Sequence, residues 1–408
     1  MREPSSSPFA TPIARLERPL AAWAARRFLA ALPHAPLAIA LPGIRIGPER
    51  GALATLRLAD ARALFELCLD PELAFGDLYS EGRLEIEGEL VPLLEASFRG
   101  RLAVGLRDRL PRWLRERTLH QELGRAATNA RRHYDVGNEF YSLWLDERMV
   151  YTCAYFPTPD ATLEDAQLAK LDHVCRKVGL RPGMEVIELG SGWGALALHM
   201  ARRYGVRVRA WNVSVEQVAY AREQAEKQQL TERVEFVLDD WRNASGRCDA
   251  LVSVGMLEHV GPAHYADLGA LAARLLAPEG LALVHTIGRA APQRLNRWIA
   301  ERVFPNAHPP ALSEMMRITE PNGFAALDVE NLRRHYALTA SHWLARYEAN
   351  ARRIEELVGR ATARAWRLYL AGTVASFRSA SLHLYQLVFT RAENDTIPWT
   401  RADWYAGA

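Results

Sequence analysis

From Leu163 onward the chain alternates short apolar runs with stretches of helical period. LEDAQLAKLDHVCRKVGL reads as a helix, and EVIELGSGWG sets Val186, Ile187 and Leu189 ahead of Gly190, Gly192 and Gly194 before passing into the helical ALALHMARRY. That order predicts strand, tight turn and helix. VRVRAWNV, VEFVLDDW, CDALVSVGM and LALVHTIG follow as further strands, with SVEQVAYAREQAEKQQL as a helix between the second and third. Strands and helices repeating in units of about 30 residues predict an α/β doubly wound sheet whose ligands bind at the carboxyl ends of the strands. After Gly288 come RLNRWIAERVFPNAHPPALSEMMRI, a short connection, and two long helical patterns beginning at Asn331 and Ala363; the closing NDTIPWTRADWYAGA reads as weakly ordered.

Upstream, residues 13–118 read as a separate, smaller mixed α+β unit. LERPLAAWAARRFLAAL has helical period, LPGIRIGPERGALATLRL reads as a hairpin, DARALFELCLDPELAFGDLYSEG is helical, and LEIEGELVPLLEASF leads into an arginine-rich run. TLHQELGRAATNARR is a polar connector, and the block from His133 to Phe156 is dense in aromatics: Tyr134, Phe140, Tyr141, Trp144, Tyr151, Tyr155 and Phe156. The expected division is residues 1–118 as an N-terminal domain and 119–408 as a catalytic domain with C-terminal helices.

Composition changes little. With 49% hydrophobic and 24% charged residues the chain is an ordinary globular one, and no apolar run reaches the roughly 18 residues of a membrane span. The Arg-, Ser- and Ala-rich N-terminus, interrupted by Arg26 and Arg27, reads as a disordered tip before an amphipathic helix. Four separated cysteines without a CxxC fit a reducing cytoplasm and no structural zinc, so no metal is expected. Charge matters more: between Arg99 and Arg117 seven arginines face only Asp108 and Glu116, within a net charge of +3. Such a run is either a solvated helix face or a surface for anionic lipid head groups, with Leu102, Val104, Leu106, Leu110, Trp113 and Leu114 as apolar contacts; nucleic acid ranks below both, since the rest of the chain is not basic.

The glycine turn carries the first chemistry. Glycines tolerate positive φ and offer no Cβ to a ligand, and the next helix begins with unpaired amides, so a nucleotide-like cofactor is expected. Gly190, Gly192 and Ala195 also satisfy the loose dinucleotide fingerprint. Glu188, two residues before the first glycine, favours the E-x-G-x-G-x-G form that resembles the first motif of S-adenosylmethionine-dependent methyltransferases. At the end of the second strand stands Asn212, which hydrogen-bonds ribose hydroxyls without charge assistance.

HYDVGNEFY, YTCAYF, ELGSGWG, NVSVEQ, VSVGMLEHVGPAHY, LVHTIG, FPN and HYALTASHWLARYE resemble, in order and spacing, the cyclopropane-fatty-acyl-phospholipid synthases and mycolic acid cyclopropane synthases. The resemblance is strong over about 119 to 395 and weaker upstream, and the N-terminal unit is a feature of the phospholipid branch. It implies a class I methyltransferase fold and a reaction in which a cis double bond of an acyl chain attacks the sulfonium methyl, leaving a carbocation that loses a methyl proton to close a ring. It further implies a bicarbonate as proton acceptor, held by Cys153, Glu258, His285, the Ile287 backbone and Tyr336. For the cofactor it implies Tyr134, Tyr151 and Thr152 beside the methionine portion, Gly190, Ser191, Gly192 and Gly194 at the carboxylate and ribose, Asn212, Val213 and Gln217 at the ribose and adenine, and Asp240 and Trp241 at the adenine.

FPNAHPP departs from the commoner form of its segment, which bears on the acyl pocket. The expected protein is cytoplasmic and peripherally associated with the inner membrane. Its partners are unsaturated phospholipid and no nucleic acid, and the resemblance leaves room for a homodimer. Two alternatives stay open, a lipid C-methyltransferase making methyl-branched chains and a small-molecule N-methyltransferase.

Overall fold

The computed structural model describes residues 18–32, 36–99, 137–305 and 307–405. The connector, the arginine run beyond Arg99, the N-terminal tip, the 118/119 boundary and Tyr134 lie outside them. The chain divides into two compact units, one of 137–295, 306–343 and 382–408, the other of 1–136, 296–305 and 344–381.

The smaller unit is built from three pieces of chain. Its sheet has the order β2-β1-β3-β4, with β1 Leu37–Leu41, β2 Ile44–Ile46, β3 Ala54–Leu58 and β4 Leu84–Gly88. The hairpin turns at Pro42 and Gly43 and joins β1 to β2, while β3 runs parallel to β1. The stretch expected to be helical over 60–82 holds two helices, Ala61–Leu69 and Pro71–Ser80, because Asp70 and Pro71 end the first and start the second. The helix Arg360–Arg378 packs on Leu90–Arg99 and on Pro71–Ser80. Arg364 donates to Tyr79 O at 2.6 Å and Glu85 Oε2 at 3.1 Å. Trp298 lies on Gly76, where a Cβ would come within 2.3 Å of its ring.

The larger unit holds a seven-stranded sheet, β10-β11-β9-β8-β5-β6-β7. Its strands are β5 Glu185–Leu189, β6 Arg207–Asn212, β7 Val234–Leu238, β8 Cys248–Val254, β9 Leu276–Gly288, β10 Phe324–Asn331 and β11 His383–Arg391. The first five are parallel neighbours, and β11 runs antiparallel between β9 and β10. This is the class I methyltransferase arrangement. Strand order reverses between β5 and β8, so the crevice that such sheets use for ligands opens at the carboxyl ends of those two.

Two strands differ from the sequence reading. HLYQLVFTR belongs to a strand rather than to the helix before it, and the short connection after Ile318 contains β10. Ser379, Ala380, Ser381 and Leu382 separate helix from β11, with Ala380 at φ 62°. The closing segment also packs: Trp404 is buried, and its carbonyl accepts from Arg176 Nε at 3.2 Å. No helix among the described residues is long and apolar enough to cross a membrane, and no group of three or more His, Cys, Asp or Glu among them is placed to hold a metal.

Candidate active site

The glycine turn is built from backbone. Gly190 N and Ser191 N both donate to Trp211 O, at 2.9 and 3.2 Å, which ties the end of β5 to β6. Gly190, Gly192 and Gly194 have φ of 86°, 52° and 88°, values that favour glycine. A Cβ at Gly194 would sit 2.7 Å from Phe236 Cζ, whereas one at Gly192 would meet nothing within 4 Å. Gly194 is therefore a packing requirement, and Gly192 leaves open space in front of the turn. The helix Ala195–Tyr204 starts at Gly194 with no side-chain cap; the Ala197 amide serves Glu188, and those of Ala195 and Leu196 are left to an anion.

Buried polar atoms without a partner gather at this end of the sheet. Among the described residues they include Glu188 Oε2, Ser191 Oγ, Ser253 Oγ, Glu258 Oε2 and His285 Nε2. Buried groups of this kind ordinarily find hydrogen bonds, so the chemistry fits a polar, charged co-substrate. Burial pushes the Glu188 carboxyl up to about 8, with Lys170 pulling the other way.

Asn212 braces the turn. Its Nδ2 donates to Gly192 O at 3.0 Å and to Gln217 Oε1 at 2.9 Å, and its Oδ1 accepts from Ser214 N at 3.0 Å. That leaves a second Oδ1 lone pair for a ribose hydroxyl. Val213 is exposed, Asp240 is engaged by Arg242 at 2.9 Å, and Trp241 is buried with the Arg242 guanidinium 4.6 Å from its ring centroid. A cleft of about 720 Å³ shares Trp193 and Ala195 with the turn but includes none of the residues expected to act on a proton.

Those residues meet through β9 and its neighbours. Glu258 Oε1 accepts from Ile287 N at 2.6 Å, and Gly255 N donates to His285 O at 2.8 Å. Burial raises the Glu258 carboxyl to about 7 against the Ile287 hydrogen bond, which favours the charged form. His285 is pushed well below the usual histidine range, by burial first and then by Lys170, Lys177 and His173. It is a neutral imidazole. With Gln386 Nε2 assigned as donor to Nδ1 at 3.1 Å, the proton sits on Nε2.

Leu332 connects the other two. Leu332 N donates to Leu384 O, Leu384 pairs with Ile287, and Leu332 O accepts from Tyr336 N at 3.1 Å and lies 4.0 Å from Cys153 Sγ. Tyr336 is buried edge-on to Trp343 at 5.8 Å. Burial pushes the Cys153 thiol up, so it is a protonated thiol and no nucleophile.

The segment from Val150 to Phe156 is neither helix nor strand, and side chains hold it. Gln167 Nε2 donates to Thr152 O at 2.9 Å, Thr339 Oγ1 accepts from Ala154 N at 3.0 Å, and His335 Nδ1 accepts from Phe156 N at 2.9 Å. Tyr155 stacks between His173 and His335, at 4.4 and 4.7 Å. Tyr151 joins Tyr141, Trp144 and Trp343 with centroids 5.2 to 5.7 Å apart. The aromatic block of the sequence is thus partly core, since Phe140 and Trp144 are fully buried.

Residues 121–387 match the family described as mycolic acid cyclopropane synthetase. The chain belongs to that family. A probable fatty acid methyltransferase of Pseudomonas putida is 37% identical to this synthetase-family chain over 341 residues, 81% of this chain and 86% of that protein. The cyclopropane-fatty-acyl-phospholipid synthase of Escherichia coli K12 is 34% identical over 350 residues, 83% and 88% of the two. A solved mycolic acid cyclopropane synthase, CmaA1 complexed with SAH and CTAB, is 30% identical with a TM-score of 0.61, covering 65% of this chain and 98% of its own. This synthetase-family member is an S-adenosylmethionine-dependent enzyme.

Gln167, Lys170, Gln386 and Thr339 escaped the sequence reading. Gln167 and Lys170 sit on the apolar stripe of a helix, and the clue was polarity where burial demands a leucine.

Proposed function

We propose that the enzyme transfers a methylene from S-adenosylmethionine to the cis double bond of unsaturated phospholipid acyl chains, forming cyclopropane rings. Bicarbonate serves as proton acceptor in this reading. The observation that carries it is the pairing of Glu258, fixed through Oε1 on Ile287 N at 2.6 Å, with two buried partnerless atoms, Glu258 Oε2 and His285 Nε2. One atom can accept and the other donates. Bicarbonate has one O–H and acceptor oxygens, so it is complementary to that set in kind. A carboxyl poised at about 7 also spares the anion a fixed negative neighbour.

S-adenosylmethionine supplies an electrophilic methyl group on a sulfonium. Gly192 and the first amides after Gly194 receive its polar end, and Asn212 keeps the turn in place. Glu258 and His285 orient the acceptor that takes the methyl proton. Tyr151 and Tyr336, backed by the buried Trp144 and Trp343, exclude water and present ring faces to positive charge on the acyl chain, worth roughly 0.5 to 2 kcal/mol each where a face is reached. The Cys153 thiol adds a weak donor.

Presentation of the acyl chain at a membrane surface is supported by the smaller unit. The helix Arg18–Ala30 carries Arg18, Arg26 and Arg27 and no acidic residue, and it exposes Leu20 and Trp23, 54% and 58% accessible. Phe65 and Leu69 line the same groove as Leu20. Aromatic and aliphatic side chains beside arginines are what an anionic bilayer surface takes.

The similarity to a probable fatty acid methyltransferase favours a second reading, methyl transfer to the same alkene followed by loss of a different proton. Purified protein incubated with S-adenosylmethionine and vesicles of cis-unsaturated phospholipid separates them. High-field cyclopropane protons with loss of vinyl protons support the first, and a CH2 gain with the alkene retained supports the second. No acyl product on any phospholipid overturns both.

A further inference from the structure

The helix Leu163–Lys177 hides charge on the face where a globular helix ordinarily hides leucine. Gln167, Lys170, His173 and Lys177 follow one another at spacings of three and four, and all four are at most 1% accessible. The far pair is explained by the sheet. His173 Nε2 and Lys177 Nζ both reach Glu330 Oε2 at 2.7 Å, and Lys177 also reaches Asp328 at 3.0 Å. The near pair ends on the irregular segment. Gln167 meets the carbonyls of Val150 and Thr152, and Lys170 Nζ donates to Thr152 Oγ1 at 3.0 Å.

Thr152 touches the site from its other branch. Its Cγ2 lies 2.8 Å from where a Cβ on Gly255 would stand, and Gly255 N holds His285 O at 2.8 Å. The hydroxyl of Thr152 thus faces the lysine while its methyl rests on the backbone that carries His285. A buried lysine is a costly way to hold one hydroxyl, and burial lowers its ammonium to about 8 although Asp146, Cys153 and Glu188 oppose the drop. Packing alone would be served better by methionine.

We propose that Lys170 is a positioning residue for the reaction: through Thr152 Oγ1 it fixes Tyr151, Thr152 and Cys153 against Gly255, and thereby sets the reacting centre between the glycine turn and His285. This rests on the reading of the site given above. It also separates the two members of the pair, since Gln167 holds backbone carbonyls, whereas Lys170 hydrogen-bonds a side chain and has Asp146 and Glu188 as charge neighbours. Displacements of about 1 Å at a reacting centre cost up to about 100-fold in rate, which sets the scale of the effect.

The experiment is a cycle of Lys170→Met, Thr152→Val and the double variant in the full chain. Each is measured for kcat and KM with S-adenosylmethionine and cis-unsaturated vesicles, for thermal midpoint, and for amide exchange of the peptides covering 150–156 and 186–194. Lys170→Met is expected to lower kcat about 10- to 100-fold with the KM for S-adenosylmethionine within about 3-fold. Exchange should rise over 150–156 and stay unchanged over 186–194. The double variant should be no slower than the worse single. Multiplying losses, or an unchanged kcat with only a lower midpoint, overturns the proposal. If Lys170→Met does not fold, Thr152→Val decides: full turnover and unchanged exchange over 150–156 overturn it. If the wild type makes no cyclopropane while Lys170→Met still raises exchange over 150–156, the reading of the reaction falls and the positioning of the segment by Lys170 stands.

Discussion

Two regions meet at the site and are made in opposite ways. The glycine turn is held by its own backbone, three residues of positive φ between a strand and a helix adjacent in sequence. The Val150–Phe156 segment has no ladder of its own and is held by Gln167, Lys170, His335 and Thr339, which arrive from helices before and after most of the sheet. The first needs only local geometry. The second exists only once the rest of the unit is assembled, so its precision is a property of tertiary structure.

The comparison can be broken first at Glu258. Glu258→Gln keeps an oxygen for Ile287 N and removes the titrating group. Turnover should fall about 100- to 10,000-fold with S-adenosylmethionine affinity nearly unchanged by calorimetry; full activity would remove Glu258 from the proton's path. Within the turn, Gly194→Ala should cost about 4 kcal/mol in urea unfolding, from the clash with Phe236 and the strained φ. Gly192→Ala should cost about 1 kcal/mol and mainly weaken S-adenosylmethionine. Equal effects at both positions would mean the turn is not divided between packing and ligand.

Glu258 carries a stability cost that the same variant exposes. Its carboxyl rises from 4.5 to about 7 on folding, so the folded state binds the proton more tightly. The Glu258 contribution to stability is then whole below about pH 4.5, falls as pH rises toward 7, and is flat beyond, a loss of about 3 kcal/mol. Glu258→Gln should be more stable than wild type at pH 8 by about that amount and indistinguishable at pH 4.5, read by denaturant midpoints without ligand. On the other region, Gln167→Leu leaves the Val150 and Thr152 carbonyls without their donor and should cost about 2 kcal/mol. A neutral result would show the segment held by its aromatics instead.

This division also decides what could be read in advance. The strands β5 to β9 and the turn announce themselves, because apolar runs end in glycines or acids at a fixed period. β11 does not: seven of its nine residues are buried, so it shows no alternation, and it follows a helix with only Ser379 to Leu382 between. Glu258 and His285 were legible as strand-end polar residues. Lys170 was not, because its partner is Thr152, 18 residues away across a turn of chain that no period marks. Gln386 was hidden inside the misread strand, paired to His285 by register alone.

The order in which the chain is made bears on its sheet. Residues 344–381 of the smaller unit and β11 of the larger are made after every other strand of the two sheets, and β11 lies between β9 and β10 rather than at an edge. Neither unit can close around an early nucleus and wait. β9 and β10 emerge as two open edges that only the final strand joins. A truncated product lacking it would expose both, which makes premature termination a route to aggregation rather than to a shortened, working enzyme.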